Sequence, residues 1–229
     1  MAAHPSVKGF KVGDRVVYMH GATYAQFTSV PTSKTLLHIP DGVSADIAAG
    51  SVLQGLTALT LIREAAGISP GPAGPDRPWA LVHAAAGGTG GLMVQILHTF
   101  GVNVIGTAGN ADKCALAKKS GADFVINTQE EDVTARTKAI TEGRGVDVIL
   151  DGVGKATFDA DLEMIARKGS IISFGNAVSS LCHDPRSFFG CVERLPVLTV
   201  LNPLVWRRAT GQHSPAWTEE CQVVAARVH

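Results

Sequence analysis

Short, continuous apolar runs alternate with segments of helical spacing through the central part of the chain. Apolar runs without polar alternation are typical of strands in a parallel sheet that is covered on both faces. The predicted strands are Trp79–Val82, 102–107, 123–127, Val146–Asp151 and 170–175. Because helical segments lie between them, the pattern predicts an α/β fold with a doubly wound parallel sheet of the Rossmann type.

Helical spacing and stop signals define the remaining elements. The predicted helices are 92–100, Ala111–Lys119, 130–141 and 155–166. Upstream, Ser44 is the predicted N-cap of a helical segment, and a second helix over 52–66 ends at Gly67. The segments 13–19 and 23–30 have strand character, whereas proline and glycine predict a surface loop over 69–78.

The segment AAAGGTGG, residues 84–91, stands between a predicted strand and a predicted helix. A glycine-rich turn in that place is typical of a dinucleotide pyrophosphate site, because N–H groups at the helix start point at the phosphates. Against the pattern GxGxxG, the three positions are Ala85, Gly87 and Gly90. The N–H groups expected to face the pyrophosphate belong to Ala86, Gly87, Gly88 and Thr89.

Composition narrows the class of partner. The chain has 229 residues with 20 basic and 20 acidic side chains, and this balance gives no indication of nucleic-acid binding. Apolar runs are shorter than the roughly 20 residues that span a bilayer, so no membrane association is expected. The 4 cysteines show no CxxC spacing and the N-terminus lacks a secretory signal, which predicts a cytoplasmic protein with reduced thiols.

Six motifs occur in an order that resembles a known family: GDRVVY, LQGLTA, VHAAAGGTGG, GTAG, DGVG and SFGN. Together they are similar to the NADPH-dependent quinone oxidoreductases, the zeta-crystallin-like branch of the medium-chain dehydrogenase/reductase superfamily. The resemblance covers about residues 12–177. It implies a GroES-like β domain beside the Rossmann fold, metal-independent hydride transfer from NADPH to a quinone or similar electron-poor carbonyl or enone, and assembly as a homodimer.

The residues after the second predicted Rossmann strand bear on the choice of cofactor. Residues 107–110 contain no carboxylate, which an NAD-preferring site uses to bind the ribose 2′-OH. Lys113 takes the place of the family's phosphate-binding lysine, and Asp112 beside it partly offsets the charge. Thr128 stands where the family often has an aromatic residue or histidine, so the resemblance implies NADPH with reduced affinity.

Other positions are assigned to the cofactor by the resemblance and by their place at strand ends. Gly109 would let the adenosine ribose lie against the second strand, and Thr57 in LQGLTA resembles a residue near the nicotinamide ring. The carboxyl ends of the fourth and fifth strands contribute Val153, Phe174, Gly175 and Asn176.

No metal site and no catalytic acid or base are predicted. LQGLTA contains no cysteine, and no cluster of cysteine and histidine has the spacing of a zinc site. His83 is therefore expected to be a packed, hydrogen-bonded histidine. The short-chain dehydrogenases are excluded, because their Tyr-x-x-x-Lys pair follows the glycine turn whereas Tyr18 and Tyr24 precede it.

The predicted domains are 1–43, a partial GroES-like substrate domain; 44–178, the NADP-binding Rossmann domain; and 179–229, an unassigned tail. Most of the family's substrate domain has no counterpart upstream of GDRVVY, and the resemblance ends after Ala177. The tail changes composition, which suggests a disordered or off-frame segment from a frameshift, retained intron or splice variant. Its apolar run 195–201 could form a sixth strand, or be an aggregation hazard.

Three functional hypotheses stay open at this point. The first is a quinone reductase-like oxidoreductase, and the nearest enzymatic alternative is an enoyl reductase acting on an activated double bond. The second class is an NADP-binding remnant or partner protein without turnover, favoured by the missing substrate domain. RNA binding, known for zeta-crystallins, gains no support from the neutral charge.

Overall fold

The structure is a computed structural model that describes residues 7–21, 23–32, 36–71, 77–175 and 197–200. Within this part, the chain divides into two compact units between Leu56 and Thr57. The predicted cofactor residue Asn176 and the tail, apart from 197–200, lie outside the described residues.

The first unit contains a small antiparallel sheet. Strand β1 (Val16–Tyr18) pairs with β2 (Leu36–His38), and the Ile39 N–H extends the ladder to the Arg15 carbonyl at 2.9 Å. Strand β2 was not predicted, because its three residues precede Pro40 and look like a lead-in to the helix. The predicted strand 23–30 is wrong: these residues form bends in which Tyr24 and Phe27 are exposed, so strand propensity found no neighbouring strand to pack against.

Helix α1 (Ala45–Thr60) begins in the first unit and continues into the second. The Ile47 N–H donates to Ser44 Oγ at 3.3 Å, which confirms Ser44 as the N-cap. The helix then widens into a π-helical turn, Leu61–Ala65. The two predicted helical segments are therefore one continuous helix, since no residue between them breaks the hydrogen-bond ladder.

The 21 residues of Ala45–Ala65 are long and apolar enough to cross a membrane, with a mean hydropathy of 1.4. This corrects the expectation that no segment approaches that length. Length and composition alone are weak evidence, however, because core helices pass the same test. Ala58, Leu61 and Ile62 are buried in the core of the second unit, whereas only 22% of the apolar window as a whole is buried.

The second unit confirms the predicted Rossmann fold. Its strands and helices, in chain order, are β3 (Trp79–Val82), α2 (Gly88–Thr99), β4 (Asn103–Ala108), α3 (Ala111–Lys119), β5 (Phe124–Asn127), α4 (Val133–Ile140), β6 (Val146–Asp151), α5 (Lys155–Met164), β7 (Ile165–Ser173) and β8 (Val197–Val200). The strands pair in parallel in the order β5-β4-β3-β6-β7-β8. The order reverses at β3, which lies between β4 and β6.

Several element boundaries differ from the predictions, among them the starts of α4 and β7. Helix α4 starts later than predicted, because the Asp132 side chain caps it by accepting the Ala135 N–H at 3.0 Å. Strand β7 starts directly after α5, earlier than predicted, and bends where Lys168 has a positive φ of 70°. Strand β8 lies within the apolar run 195–201 and pairs with β7, so the prediction of a sixth strand is confirmed.

The core lies on both faces of the sheet, as the continuous apolar strands predicted. On one face, Val82 belongs to a cluster with Leu61 of the π-helical turn and Met93 of α2. On the other, Leu81 belongs to a second cluster with Met164 of α5. Neighbouring side chains of β3 are thus buried on opposite faces of the sheet. This alternation fixes which residues of β3 face each core.

Candidate functional site

The turn between β3 and α2 is fixed to both neighbouring strands. The His83 N–H donates to the Leu150 carbonyl of β6 at 3.1 Å, and the Ala85 N–H donates to the Thr107 carbonyl of β4 at 2.9 Å. Between them, Ala84 adopts a positive φ of 49°, which is uncommon for a residue with a side chain. Its carbonyl accepts the Gly87 N–H at 2.9 Å and closes the turn. The turn is therefore held in one shape from two sides.

Two close approaches explain the small residues of this turn. A Cβ on Gly90 would collide with the Ala84 carbonyl oxygen, so the third position of the glycine pattern allows α2 to pack against the turn. A Cβ on Gly106 of β4 would lie 2.8 Å from the Cβ of Ala85. Glycine at Gly106 thus leaves room for alanine in the first position of the pattern.

The N-terminus of α2 presents unpaired donors. The N-cap Gly87 supplies no side-chain cap, and the N–H groups of Ala86, Gly88, Thr89 and Gly90 meet no protein acceptor within the described ranges. These groups lie at the carboxyl end of β3, where the strand order reverses. The geometry fits a pyrophosphate, because the N–H groups and the helix dipole both favour an anion there. The structure thus brings together the predicted turn residues, but the Gly87 N–H, which was expected to face the pyrophosphate, donates to the Ala84 carbonyl instead.

A second group of predicted residues meets at the carboxyl ends of β4 and β5. Asn110 caps α3 by accepting the Lys113 N–H at 2.9 Å, and the Lys113 side chain is exposed. A Cβ on Gly109 would lie 3.9 Å from Thr128 Oγ1, so these two positions are neighbours. Gly109 and Thr128 are therefore neighbours, and the assignment of these two residues and Lys113 to a ribose 2′-phosphate stays a prediction.

Carboxylates also lie near α3. Burial raises the pKa of the Cys114 thiol in α3, and the charges of Glu130 and Glu131 raise it further. Glu131 is partly neutralised, since it accepts the Asn127 N–H at 3.0 Å and lies 3.4 Å from the Arg136 guanidinium. Near the start of α3, Glu130 and Glu131 therefore add acidic groups that the sequence analysis did not include.

The third group lies at the carboxyl ends of β6 and β7. The Val153 N–H donates to Asp151 Oδ1 at 2.7 Å, and the Phe174 N–H donates to the Asp151 carbonyl at 2.9 Å. A Cβ on Gly175 would lie 2.7 Å from the Gly152 carbonyl oxygen. Val153, Phe174 and Gly175 are therefore brought together as predicted, whereas Thr57 is a half-buried residue of α1.

Beneath the turn after β3 lies a buried polar cluster, formed by His83, Thr107, Asp151 and Asp161. His83 Nδ1 is 3.1 Å from Thr107 Oγ1, and His83 Nε2 is 2.8 Å from Asp161 Oδ1. This confirms His83 as a packed, hydrogen-bonded histidine. The sequence analysis missed Asp161, although an acid at a helix position where the spacing predicts an apolar residue is a usable signal.

The same cluster contains the one group of candidate metal donors in the described part of the chain. Single ligand atoms of His83, Asp151 and Asp161 lie within 4.8 Å of one another. Most of these atoms already have partners: His83 and Asp161 bind each other, and Asp151 accepts the N–H groups of Val153 and Gly154. A metal ion would have to break these contacts, so the donor set does not fit a resident metal.

Comparisons with known proteins show similarity to dehydrogenases and reductases. The profile of a family described as zinc-binding dehydrogenase matches residues 88–195. A quinone oxidoreductase of Salmonella typhimurium is 41% identical over 173 residues, which are 75% of this chain and 51% of that protein. A 2-haloacrylate reductase of Burkholderia is 34% identical over 209 residues, covering 88% of this chain and 59% of that protein.

The chain is also similar to solved structures of quinone oxidoreductases. The crystal structure of Escherichia coli quinone oxidoreductase complexed with NADPH superimposes with a TM-score of 0.74 at 36% identity, covering 86% of this chain and 58% of that one. The fold and the glycine turn are thus similar to those of the medium-chain dehydrogenase/reductase superfamily. Within it, the relatives that this chain resembles include quinone oxidoreductases, at 41% identity to the Salmonella typhimurium protein. The chain spans about half the length of the curated relatives it matches.

Proposed function

We propose that this chain binds NADPH and serves an oxidoreductase that transfers a hydride to a quinone or a similar electron-poor carbonyl or enone. The observation that carries the proposal is the set of unpaired N–H groups at the start of α2, placed where the strand order reverses. Anion-binding donors at that point of a doubly wound sheet are the usual site of a dinucleotide pyrophosphate.

The residues of the three groups divide the work of binding. The unpaired N–H groups at the start of α2 hold the pyrophosphate, and Gly109 lets the adenosine ribose approach β4. Val153, Phe174 and Gly175 border the nicotinamide half, to which we also assign Thr57 and Asn176. When bound, the cofactor supplies the hydride. The protein's share is to orient the reacting groups and exclude water, and we assign no side chain as acid or base.

We further propose that NADPH is preferred over NADH by a modest factor. Lys113 is exposed beside Gly109 and can pair with a 2′-phosphate. Thr128 offers a hydroxyl without the ring that often covers this phosphate in the family, and Glu130 adds negative charge nearby. Attraction by one exposed lysine against neighbouring acids supports a preference that salt will weaken.

Metal independence is part of the same proposal. The donor atoms of the buried polar cluster are already hydrogen-bonded, and Cys114 is the single cysteine of the described residues. The homodimer and the cytoplasmic location stay predictions.

The test is a fluorescence titration of the purified, full chain with NADPH and with NADH, at low and at moderate salt. We expect saturable binding of both, tighter for NADPH, with the difference shrinking as salt rises. The isolated fragment 2′,5′-ADP should compete, and more strongly than 5′-AMP. A folded, monodisperse chain that binds neither dinucleotide contradicts the proposal.

Reduction of an activated carbon–carbon double bond is a second candidate. It is favoured by the 34% identity to 2-haloacrylate reductase. Turnover assays with a benzoquinone and with a 2-haloacrylate, each followed by NADPH absorbance, separate the two acceptors. Saturable binding without turnover on either acceptor supports the remaining hypothesis, an NADP-binding remnant or partner protein without turnover.

A further inference from the structure

The buried polar cluster contains two carboxyl groups that the proposed function does not use. Asp151 ends β6 and Asp161 belongs to α5, and both are 0% exposed. Ligand atoms of the two lie within 4.8 Å of each other. Two full negative charges at that separation, shielded from water, repel strongly, so one of the two carboxyl groups is expected to keep its proton.

Hydrogen bonds indicate which of the two keeps the proton. Asp151 accepts the N–H groups of Val153 and Gly154, at distances of 2.7 Å and 3.2 Å, so its carboxylate oxygens already have donors. Asp161 faces two ionisable groups, His83 from the turn after β3 and Asp151 from β6. It receives one contact, from His83, while its Oδ2 is buried without a partner among the described residues. Burial raises the pKa of Asp161, the contact with His83 lowers it, and the charge of Asp151 raises it again.

We propose that Asp161 is a positioning residue for cofactor binding and that it acts as a neutral carboxylic acid. In this arrangement Asp161 Oδ1 accepts the Nε2–H of His83, Thr107 donates its hydroxyl to Nδ1, and the proton is on Asp161 Oδ2, which is buried without a partner among the described residues. The proposal rests on the proposed function, since the turn that His83 begins is the turn assigned to the pyrophosphate.

The route from Asp161 to the cofactor is short. The His83 ring is held between α5 and β4, and the His83 N–H is bonded to β6. The next residue, Ala84, has the positive φ of 49°, a conformation that persists only where the surroundings hold it. If the His83 ring loses its partner, we expect Ala84 to leave its positive-φ conformation. The unpaired N–H groups at the start of α2 would then no longer point at one anion.

The experiment compares three variants of the full chain. Asp161→Asn keeps the shape of a neutral acid, because its amide oxygen can accept from His83 and its amide nitrogen can donate toward Asp151. Asp161→Leu removes both contacts. Asp159→Asn is the matched control, because Asp159 is an exposed acid of the same helix. Dissociation constants for NADPH and thermal midpoints are measured for each.

We expect Asp161→Asn and Asp159→Asn to bind NADPH within about twofold of the wild type. Asp161→Leu should bind roughly tenfold more weakly, the equivalent of one buried hydrogen bond. Loss of binding by Asp161→Asn equal to that by Asp161→Leu overturns the neutral acid and favours a charged one. Unchanged binding by Asp161→Leu, with a lower midpoint, overturns the positioning role.

A second variant covers the case in which Asp161→Leu does not fold. Thr107→Val removes the other side-chain contact of His83 with little change in volume, and should also weaken NADPH binding. Unaltered affinity of a folded Thr107→Val chain would then count against the route through His83.

A spectroscopic readout is independent of the cofactor. Nitrogen-15 NMR of the histidines, with His83 assigned by comparison with His83→Gln, should show a neutral ring protonated at Nε2 at neutral pH. A doubly protonated ring overturns the neutral acid. If the wild type binds neither dinucleotide, the proposed function and the positioning role fail together, whereas binding by the wild type with unaffected variants overturns the positioning role alone.

Discussion

The turn after β3 and the start of α3 stand at the same edge of the sheet, yet they are held in different ways. The turn is bonded through its backbone to β4 and β6, and the buried polar cluster lies beneath it. At α3, by contrast, Lys113 is exposed, Asp112 precedes it in the sequence, and Glu130 acts on the neighbouring Cys114. The Asn110 side chain caps this helix by accepting the Lys113 N–H.

This difference separates two properties of the proposed site. Geometry fixes the N–H groups that face the pyrophosphate, so binding of any dinucleotide should depend on steric fit and be sensitive to small displacements. Selection between NADPH and NADH depends on charges in contact with solvent, so it should be weaker, additive and sensitive to salt. Substitutions in the two places are therefore expected to fail in different ways.

The largest effect is expected from Gly90→Ala, because the added Cβ would collide with the Ala84 carbonyl oxygen. Titrations should show at least about tenfold weaker binding of NADPH and NADH alike. Gly91→Ala is the matched control in the same turn of α2, since a Cβ there meets its nearest atom at an ordinary 3.6 Å. Equal dinucleotide affinity of the two variants would contradict the expectation that steric fit at the start of α2 controls binding.

The second largest effect on dinucleotide binding is expected from Lys113→Glu. Reversing this charge should weaken NADPH by roughly tenfold and leave NADH nearly unchanged, since NADH lacks the 2′-phosphate. Lys119→Glu, at the exposed far end of α3, makes the same change of charge away from the site. Parallel losses for NADPH and NADH with Lys113→Glu would assign Lys113 a structural role instead.

A smaller effect is expected from Glu130→Gln. Removing this charge should lower the pKa of the Cys114 thiol, so that iodoacetamide modifies Cys114 faster at a given pH. The NADPH affinity should rise by about twofold in the same variant. Peptide mass spectrometry reports Cys114 separately from the other cysteines, and Glu64→Gln is an exposed control. A Cys114 reactivity that does not change would show that Glu130 exerts no effective field on α3.

The smallest effect is a pH dependence of stability. The folded chain raises the pKa of Asp161 above its ordinary value of 3.8, so Asp161 stabilises the fold below that pH and loses this contribution as the pH rises through its folded value. The thermal midpoint of the wild type minus that of Asp161→Asn should thus fall by a few degrees, on the order of 2–4 °C, above about pH 4. Asp159→Asn should show no such trend, and a rising difference would reverse the assignment.

Much of the second unit could be predicted from the sequence, because its signals are local. Apolar runs, helical spacing and the segment 84–91 are each read within a few residues, and the structure confirms the parallel sheet and the turn they predict. Helix starts were harder to locate. The side chain of Asp132 delays α4, and a cap of this kind competes with helical spacing over single residues.

Tertiary structure decided what depends on distant residues. Segment 23–30 has strand composition but forms bends, while the short run at β2 gained a strand partner, because pairing and not propensity decides a strand. Asp161 and His83 are 78 residues apart, and no motif joins them. Only the packing of α5 beneath the turn after β3 brings the acid to the histidine, because a buried polar group takes whichever partner the fold places within reach.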